Sequence, residues 1–324
     1  LVTAGSFDLL FAGWEMVGLS SALLIAYFHH REAPVRASFR AYVTYRACDV
    51  GLLVGAVLLH QTAHTTDFAE LYGASQWPAA APAAMSAPAA TWIALAFVLA
   101  AMGKSALFPV GGWLPRAMEG PTPSSALFYG ALSVHAGVYL LLRLAPVFAR
   151  SPVASGVLVA LGLLTALYGN LVWRVQSDVK SALAFASMTQ VGLMVAEVGL
   201  GWHTLALVHL VGHSSLRGLQ LLRAPSALVD ALRIQHANEG KLLEDFTTGT
   251  RLLSPAAMRR TYWLTHARFH LDVALGRVFI EPFLALARAL DRLDRRSAAA
   301  LGVPLPPGPD DAPAPAPAHE EAAR

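Results

Sequence analysis

The sequence predicts an all-α fold: a polytopic bundle of about seven transmembrane helices, one of them discontinuous, with a C-terminal amphipathic surface helix and a disordered tail. Three observations lead there. Of the 324 residues, 55% are apolar and only 14% charged, against roughly 25% charged in soluble domains, and the mean hydropathy is +0.49. The charge is uneven, with 24 of the 45 Asp, Glu, Lys and Arg residues in 225–324. The first 224 residues divide into separate apolar stretches, each long enough for a hydrocarbon core of about 30 Å. Intrinsic disorder, collagen and an ordinary soluble enzyme are excluded on composition.

The predicted spans are 9–28, 41–60, 92–114, 124–147, 153–173, 182–200 and 204–222. Segment 41–60 is the least apolar, because it carries Arg46 and Asp49. Segment 92–114 contains Pro109, Gly111 and Gly112. The proline removes a backbone donor and glycines hold helix poorly, so this span is expected to break there.

Loop charges set the expected topology. Loop 29–40 has Arg31, Arg36 and Arg40, 61–91 has no Lys or Arg, 115–123 has Arg116, and 148–152 has Arg150. Loop 174–181 has Arg174 and Lys180, 201–203 has none, and the chain beyond 222 is rich in Arg. The positive-inside rule then places the first residue outside and the C-terminal third in the cytoplasm.

After the spans, 225–258 reads as a polar cytoplasmic connection. Residues 259–297 form an amphipathic helix with Trp263, Ala267, Leu271, Leu275, Val278, Phe279 and Phe283 on one side, interrupted by charges too often to span. A kink is expected at Pro282. The tail 298–324 is Pro/Ala-rich and expected to be disordered. The chain opens at Leu1 rather than Met, almost inside an apolar segment, and without a signal-peptide pattern. It is expected to be a fragment.

Several ionisable groups fall at membrane depth, where each costs about 2.5–3.5 kcal/mol and usually faces a protein interior or a water path. Glu15 lies mid-span in the first segment, Lys104 just before the break in the third, and His135 with Tyr129 in the fourth. His209, His213 and Arg217 repeat at i, i+4 and i+8 on the seventh and share one face. Arg46 and Asp49, three apart, are close enough to pair on one helix face. Glu, Lys and His can each be tuned toward neutral pH by burial and neighbours, so this set reads as a chain of proton carriers. Glu15 and Lys104 are then expected within salt-bridge reach, or one water of it.

Plainer readings stand beside this one. A single Glu can be half of a buried structural ion pair, and Arg46 with Asp49 reads more readily so, since Arg does not titrate. His209 and His213 can serve helix–helix hydrogen bonds. Arg143 and Glu197, near span ends, are expected to snorkel. No metal site is expected, with no third ligand evident and no His-Glu-x-x-His pattern. Nor is a cofactor, given the single Cys48 and no Gly-x-Gly-x-x-Gly. The net charge of +3 is mild, and nucleic acid is not an expected partner.

The run Met102-Gly103-Lys104-Ser105-Ala106-Leu107-Phe108-Pro109, continuing to Gly120-Pro121-Thr122-Pro123-Ser124, resembles the signature of the antiporter-like membrane subunits. These are subunits L, M and N of NADH-quinone oxidoreductase (respiratory complex I) and the Mrp-type sodium/proton antiporters. Subunit L is the most similar. Gly13-Trp14-Glu15, Arg46-Ala47-Cys48-Asp49-Val50-Gly51 and the stretch 176–192 resemble its elements, and 261–293 resembles the start of its lateral helix. The resemblance covers nearly all of 6–295.

It implies a proton-translocating subunit in a bacterial inner membrane, with other membrane subunits and the bilayer as partners and no redox centre of its own. Glu15 matches the glutamate that modulates the key lysine, which Lys104 matches. Asp49 matches an aspartate thought to couple to a neighbouring subunit, His209 and His213 match relay histidines, and Lys180 matches a lysine at a cytoplasmic helix end. Arg217 stands where the family has Lys and Tyr129 where it usually has His, with His135 six residues on. The family's second repeat, with its own broken helix and lysine, is absent between the seventh span and the lateral-helix-like segment. Two alternatives stay open: the similar subunit of a two-component inorganic-carbon transporter, and a non-conducting scaffold.

Overall fold

The computed structural model describes residues 1–72, 85–224 and 255–301. The chain falls into two compact units, Leu1–Phe269 and His270–Arg324. The first holds the helices α1 Phe7–Ile25, α2 Glu32–Ala63, α3 Ala87–Lys104, α4 Thr122–Arg143, α5 Pro152–Trp173, α6 Val179–Gly199, α7 His203–Arg223 and α8 Pro255–His266. The described part of the second holds α9 Leu271–Leu275 and α10 Glu281–Ala300. Among the described residues the only β feature is a single bridge between Ser6 and Asp67.

The helices start where side chains can take up free backbone donors. Ser6, Ser86, Ser151 and Asp178 accept from the backbone N–H three residues on, opening α1, α3, α5 and α6. Proline follows at the first turn of α3 and α5, where its missing N–H costs nothing.

Among the described residues, six helices are long and apolar enough to cross a membrane: α1 continued to Phe28, and α2 to α6. The seventh expected span exists as α7, of 21 residues. Its His203, His209, His213, Arg217 and Arg223 make it too polar to count by composition alone. The expected loop 29–40 shrinks to a turn, because α2 begins at Glu32 and Arg36 pairs with Glu32 one turn on. At 32 residues, α2 is about 48 Å long and carries Arg36 and Arg40 within the helix. The Ala/Pro-rich stretch 77–90 lies partly, the connection 225–258 mostly, and the tail 298–324 almost wholly outside the described residues.

Within the first unit, α5 packs closest on α6 and α2 on α3. Close approach of α5 and α6 requires glycine: a Cβ on Gly162 would lie 2.5 Å from the Gly192 carbonyl oxygen. Such contacts replace the hydrophobic drive that helices lack in lipid. The α4 helix is wound as a π-helix over Ser125–Leu132, a local widening that often marks functional sites.

The amphipathic segment differs from expectation. No single helix covers 259–297, because Arg268, Phe269 and His270 all adopt positive φ, from 52° to 56°. The side chains there pack elsewhere: Phe269 meets the Tyr168 ring, and the Arg268 guanidinium lies over Phe185. Pro282 follows directly on a π-wound turn, Gly276–Ile280, a widening that accommodates its ring and missing N–H within the continuing helix. In α10, Phe283, Leu286, Leu290 and Leu293 form an exposed apolar stripe, with four arginines spread over the remaining surface.

Candidate functional site

The third span breaks as expected, but earlier and more fully. Lys104 is the last residue of α3 and Ser105 its cap. Ala106 has φ of 52°, and the chain then makes short 3₁₀ turns at Val110–Trp113 and Arg116–Glu119, so Gly111 and Gly112 lie in a turn that Pro109 opens. Backbone groups freed by the break find side-chain partners. Thr165 Oγ1 accepts from the Phe108 N–H at 3.0 Å, and Trp113 Nε1 donates to the Gly103 carbonyl at 3.0 Å.

Lys104 is fully buried, and its Nζ has no hydrogen-bond partner. It sits over two aromatic faces, 4.6 Å from the Tyr45 centroid and 5.1 Å from that of Trp14, a cation–π setting. The space is left by Gly18: a Cβ there would be 2.5 Å from Nζ. The acidic groups that act on the ammonium are Asp49 first and Glu15 second.

Those two carboxylates have other partners. Trp14 Nε1 donates to Asp49 Oδ1 at 2.6 Å, leaving the buried Oδ2 unpaired. Glu15 takes the Arg46 guanidinium of α2 in an ion pair. One expectation is corrected here. Arg46 pairs across helices with Glu15 and not along α2 with Asp49. Glu15 makes its ion pair with Arg46 and acts on Lys104 as a nearby charge. An i,i+3 spacing offered Arg46 one acceptor, and packing of α1 on α2 supplied another.

From Tyr45 a hydroxyl chain leads inward. The Tyr45 and Ser21 hydroxyls are 3.3 Å apart. The Tyr129 hydroxyl donates to the Ser21 carbonyl at 3.2 Å and lies 3.3 Å from its Oγ. Tyr129 therefore joins the lysine side of the site. Ser133, one turn on, is buried beside Tyr45.

His135 belongs to the other side. Its Nε2 is 2.9 Å from His213 Nδ1, and both rings are buried. Arg217 Nε donates to His213 Nε2 at 3.4 Å. The His209 ring stands edge-on to His213, with centroids 6.2 Å apart. The shared face expected on α7 is thus present. Lys180 is not brought to the site: it starts α6 and reaches the Gly120 carbonyl at 3.5 Å.

Glu197 and Arg143, near span ends, both have partners within the protein. Glu197 Oε1 is 2.9 Å from His209 Nδ1, while Gln190 Oε1 is 3.1 Å from His209 Nε2. Arg143 lies over the Phe68 ring at 4.1 Å, with its Nε buried. Beside it, outside the spans, burial pushes the Tyr72 phenol above its ordinary range, and the Arg143 charge opposes that shift. Sequence reasoning missed Gly18, Ser21, Tyr45, Trp14, Gln190 and Glu197. Only Trp14 and Tyr45 carried a signal, each one residue before a singled-out charge.

No cluster of three or more His, Cys, Asp or Glu able to hold a metal occurs among the described residues. The arrangement offers two sets of titratable and hydroxyl groups in one bundle, Glu15, Asp49, Lys104, Tyr45, Ser21 and Tyr129 in one and His135, His213, His209 and Glu197 in the other.

Comparison with known proteins matches residues 4–247 to the NADH:quinone oxidoreductase/Mrp antiporter transmembrane family. NADH-quinone oxidoreductase subunit L of Mycobacterium tuberculosis is 40% identical over 215 residues, 66% of this chain and 33% of that protein. A probable inorganic carbon transporter subunit of Halothiobacillus neapolitanus is 38% identical over 233 residues, 71% of this chain and 41% of that one. Among solved structures, a chain of the Mrp complex from Dietzia sp. superposes with a TM-score of 0.60 at 30% identity, covering 67% of this chain and 24% of that chain. The chain thus spans about a third of the length of the first of these relatives and about two fifths of the second. The match over most of its length, and the broken helix ending in a buried lysine, make this chain a member of the NADH:quinone oxidoreductase/Mrp antiporter membrane family.

Proposed function

We propose that this chain is a proton-transferring, antiporter-like subunit of a multisubunit membrane complex, similar to subunit L of NADH-quinone oxidoreductase. The observation that carries the reading is the Lys104 ammonium. It is buried at the end of a broken helix, without a hydrogen-bond partner, between two carboxylates and the first member of a hydroxyl chain. A buried amine that can exchange its proton with alternative neighbours is a carrier, and a structural lysine would be expected to hold a fixed acceptor.

The Arg46–Glu15 pair gives the carrier a switch. With Glu15 on Arg46, Lys104 faces chiefly Asp49. Glu15 released from Arg46 can approach Lys104 and stabilise its charged form. Tyr45, Ser21 and Tyr129 then relay toward the histidines, with water bridging where groups stand more than 3.5 Å apart. The basic residues of alternate turns support an orientation with the first residue outside and the C-terminal third cytoplasmic in a bacterial inner membrane. The amphipathic α10, with its apolar stripe and arginines, suits contact with neighbouring subunits.

The test is proton flux in proteoliposomes for Lys104→Ala and Glu15→Gln, with and without the neighbouring subunits. Loss in both supports the relay, and unchanged flux in both overturns it. The carbon-transporter relative supports a second reading, in which the same proton path drives a carbon-converting partner. Gene neighbours encoding a large protein with zinc-ligand motifs would favour that reading, and other oxidoreductase subunits the first.

A further inference from the structure

Beyond the buried histidines, the His209 ring meets Glu197 near the turn between α6 and α7. We propose that Glu197 and His209 form a proton outlet contained within the α6–α7 hairpin of this chain. The inference rests on the proton-transfer reading above.

The outer two groups are more exposed than the inner two. His135 and His213 are 3% and 8% exposed, whereas the side chains of His209 and Glu197 are 21% and 16% exposed. Position agrees. Glu197 lies in the last turn of α6, and its carbonyl accepts from the Trp202 N–H in the connecting turn at 2.9 Å. His209 is six residues into α7, about 9 Å along the axis from the same turn. His213 and His135 lie deeper.

The groups facing each carrier are few. His209 meets Glu197 and Gln190 from α6 and His213 on its own helix. His213 meets His135 from α4 and Arg217 on its own helix. Arg217 keeps its charge and shapes the field behind His213, and it discourages a proton from retreating along α7 toward Arg223.

The step balances within the hairpin. His209 starts with Nδ1–H donating to the Glu197 carboxylate. A proton from the His213 side, carried across the ring-to-ring gap by one water, bonds to Nε2. The Nδ1–H bond breaks and that proton bonds to Glu197 Oε1. His209 is left as the Nε2–H tautomer, donating to Gln190 Oε1, which the 3.1 Å contact already prepares. Glu197 passes its proton to water at the turn, and His209 resets by turning its ring so that its one remaining N–H again faces Glu197. An ion pair kept only for packing needs neither the second ring contact nor the gradient of exposure.

Two measurements on the full chain test this. In vesicles with an imposed potential and an internal pH dye, Glu197→Gln and His209→Gln should each lower flux about a hundredfold, with Glu197→Asp recovering part of it. In a Cys48→Ala background, Glu197→Cys should react with a membrane-impermeant thiol reagent while His135→Cys should not. Loss in Lys104→Ala with Glu197→Gln at the wild-type rate overturns the outlet and leaves the relay standing. Unchanged rates in both overturn the relay and the outlet together, as does wild-type flux no higher than in protein-free vesicles. An unreactive Glu197→Cys overturns the outlet whatever the flux.

Discussion

Lys104 Nζ lies 4.6 Å above the ring of Tyr45, in a space that exists because residue 18 is glycine. A methyl group at Gly18 would meet the ammonium 2.5 Å away. The obstructed atom is the far end of a flexible side chain, so the fold can adapt while the charge moves. Gly18→Ala is expected to lower proton flux by on the order of a hundredfold while the melting temperature stays near wild type. A melting temperature far below wild type would mean that Gly18 serves packing instead.

The Arg46–Glu15 pair is half exposed on its arginine side, with the Arg46 side chain 47% accessible, so it adds less than about 1 kcal/mol to stability. Its removal should act on Lys104 instead. In Arg46→Gln, Glu15 is free to settle on Lys104 and hold the proton there. Flux is expected to fall about tenfold for each roughly 1.4 kcal/mol by which the charged lysine is favoured. Arg46→Lys should restore most of it, and equal flux in Arg46→Gln and wild type would remove the switch.

Trp14 donates to a buried carboxylate oxygen that has no other partner. Trp14→Phe keeps an aromatic floor under Lys104 but strands Asp49. It should cost about 2 kcal/mol, read as a drop in thermal midpoint in detergent. An unchanged midpoint would mean that water or another donor reaches Asp49.

Tyr129 and His135 occupy one helix but belong to different sets. Tyr129→Phe loses one hydroxyl hydrogen bond, worth about 1 kcal/mol, and leaves the histidine pair intact. His135→Phe removes the partner of His213 at 2.9 Å. Flux should fall in both variants, because each removes a group of the relay, and flux at the wild-type rate in either would take that group out of the path.

The bundle was legible in the sequence because lipid demands long uninterrupted helices, and Pro109 with its glycines announced the break. The ends were less so. The α2 helix starts at Glu32, where exposed Glu32 and Arg36 support one another on its surface, and a rule that counts basic loops reads those arginines as loop. The chemistry of the candidate site was legible residue by residue, through Glu15, Lys104, His209 and His213, but not as pairs. Arg46 had an acceptor three residues away in sequence and another across α1, and only packing chose. Glu197 looked like a snorkelling end residue because nothing in one helix shows that His209 of the next faces it. The break at 268–270 was hidden for the same reason, since Phe269 and Arg268 leave helical geometry toward Tyr168 and Phe185, which lie about a hundred residues earlier in the chain.

The central claim is that Lys104 both takes up and gives up a proton. Lys104→Arg tests it most directly, because arginine keeps the positive charge and the contact with the rings but does not deprotonate. Proton flux in reconstituted vesicles is expected to fall to the level of Lys104→Ala while the protein remains folded. Flux at the wild-type rate in Lys104→Arg would show that residue 104 supplies only a fixed charge, and would contradict the relay.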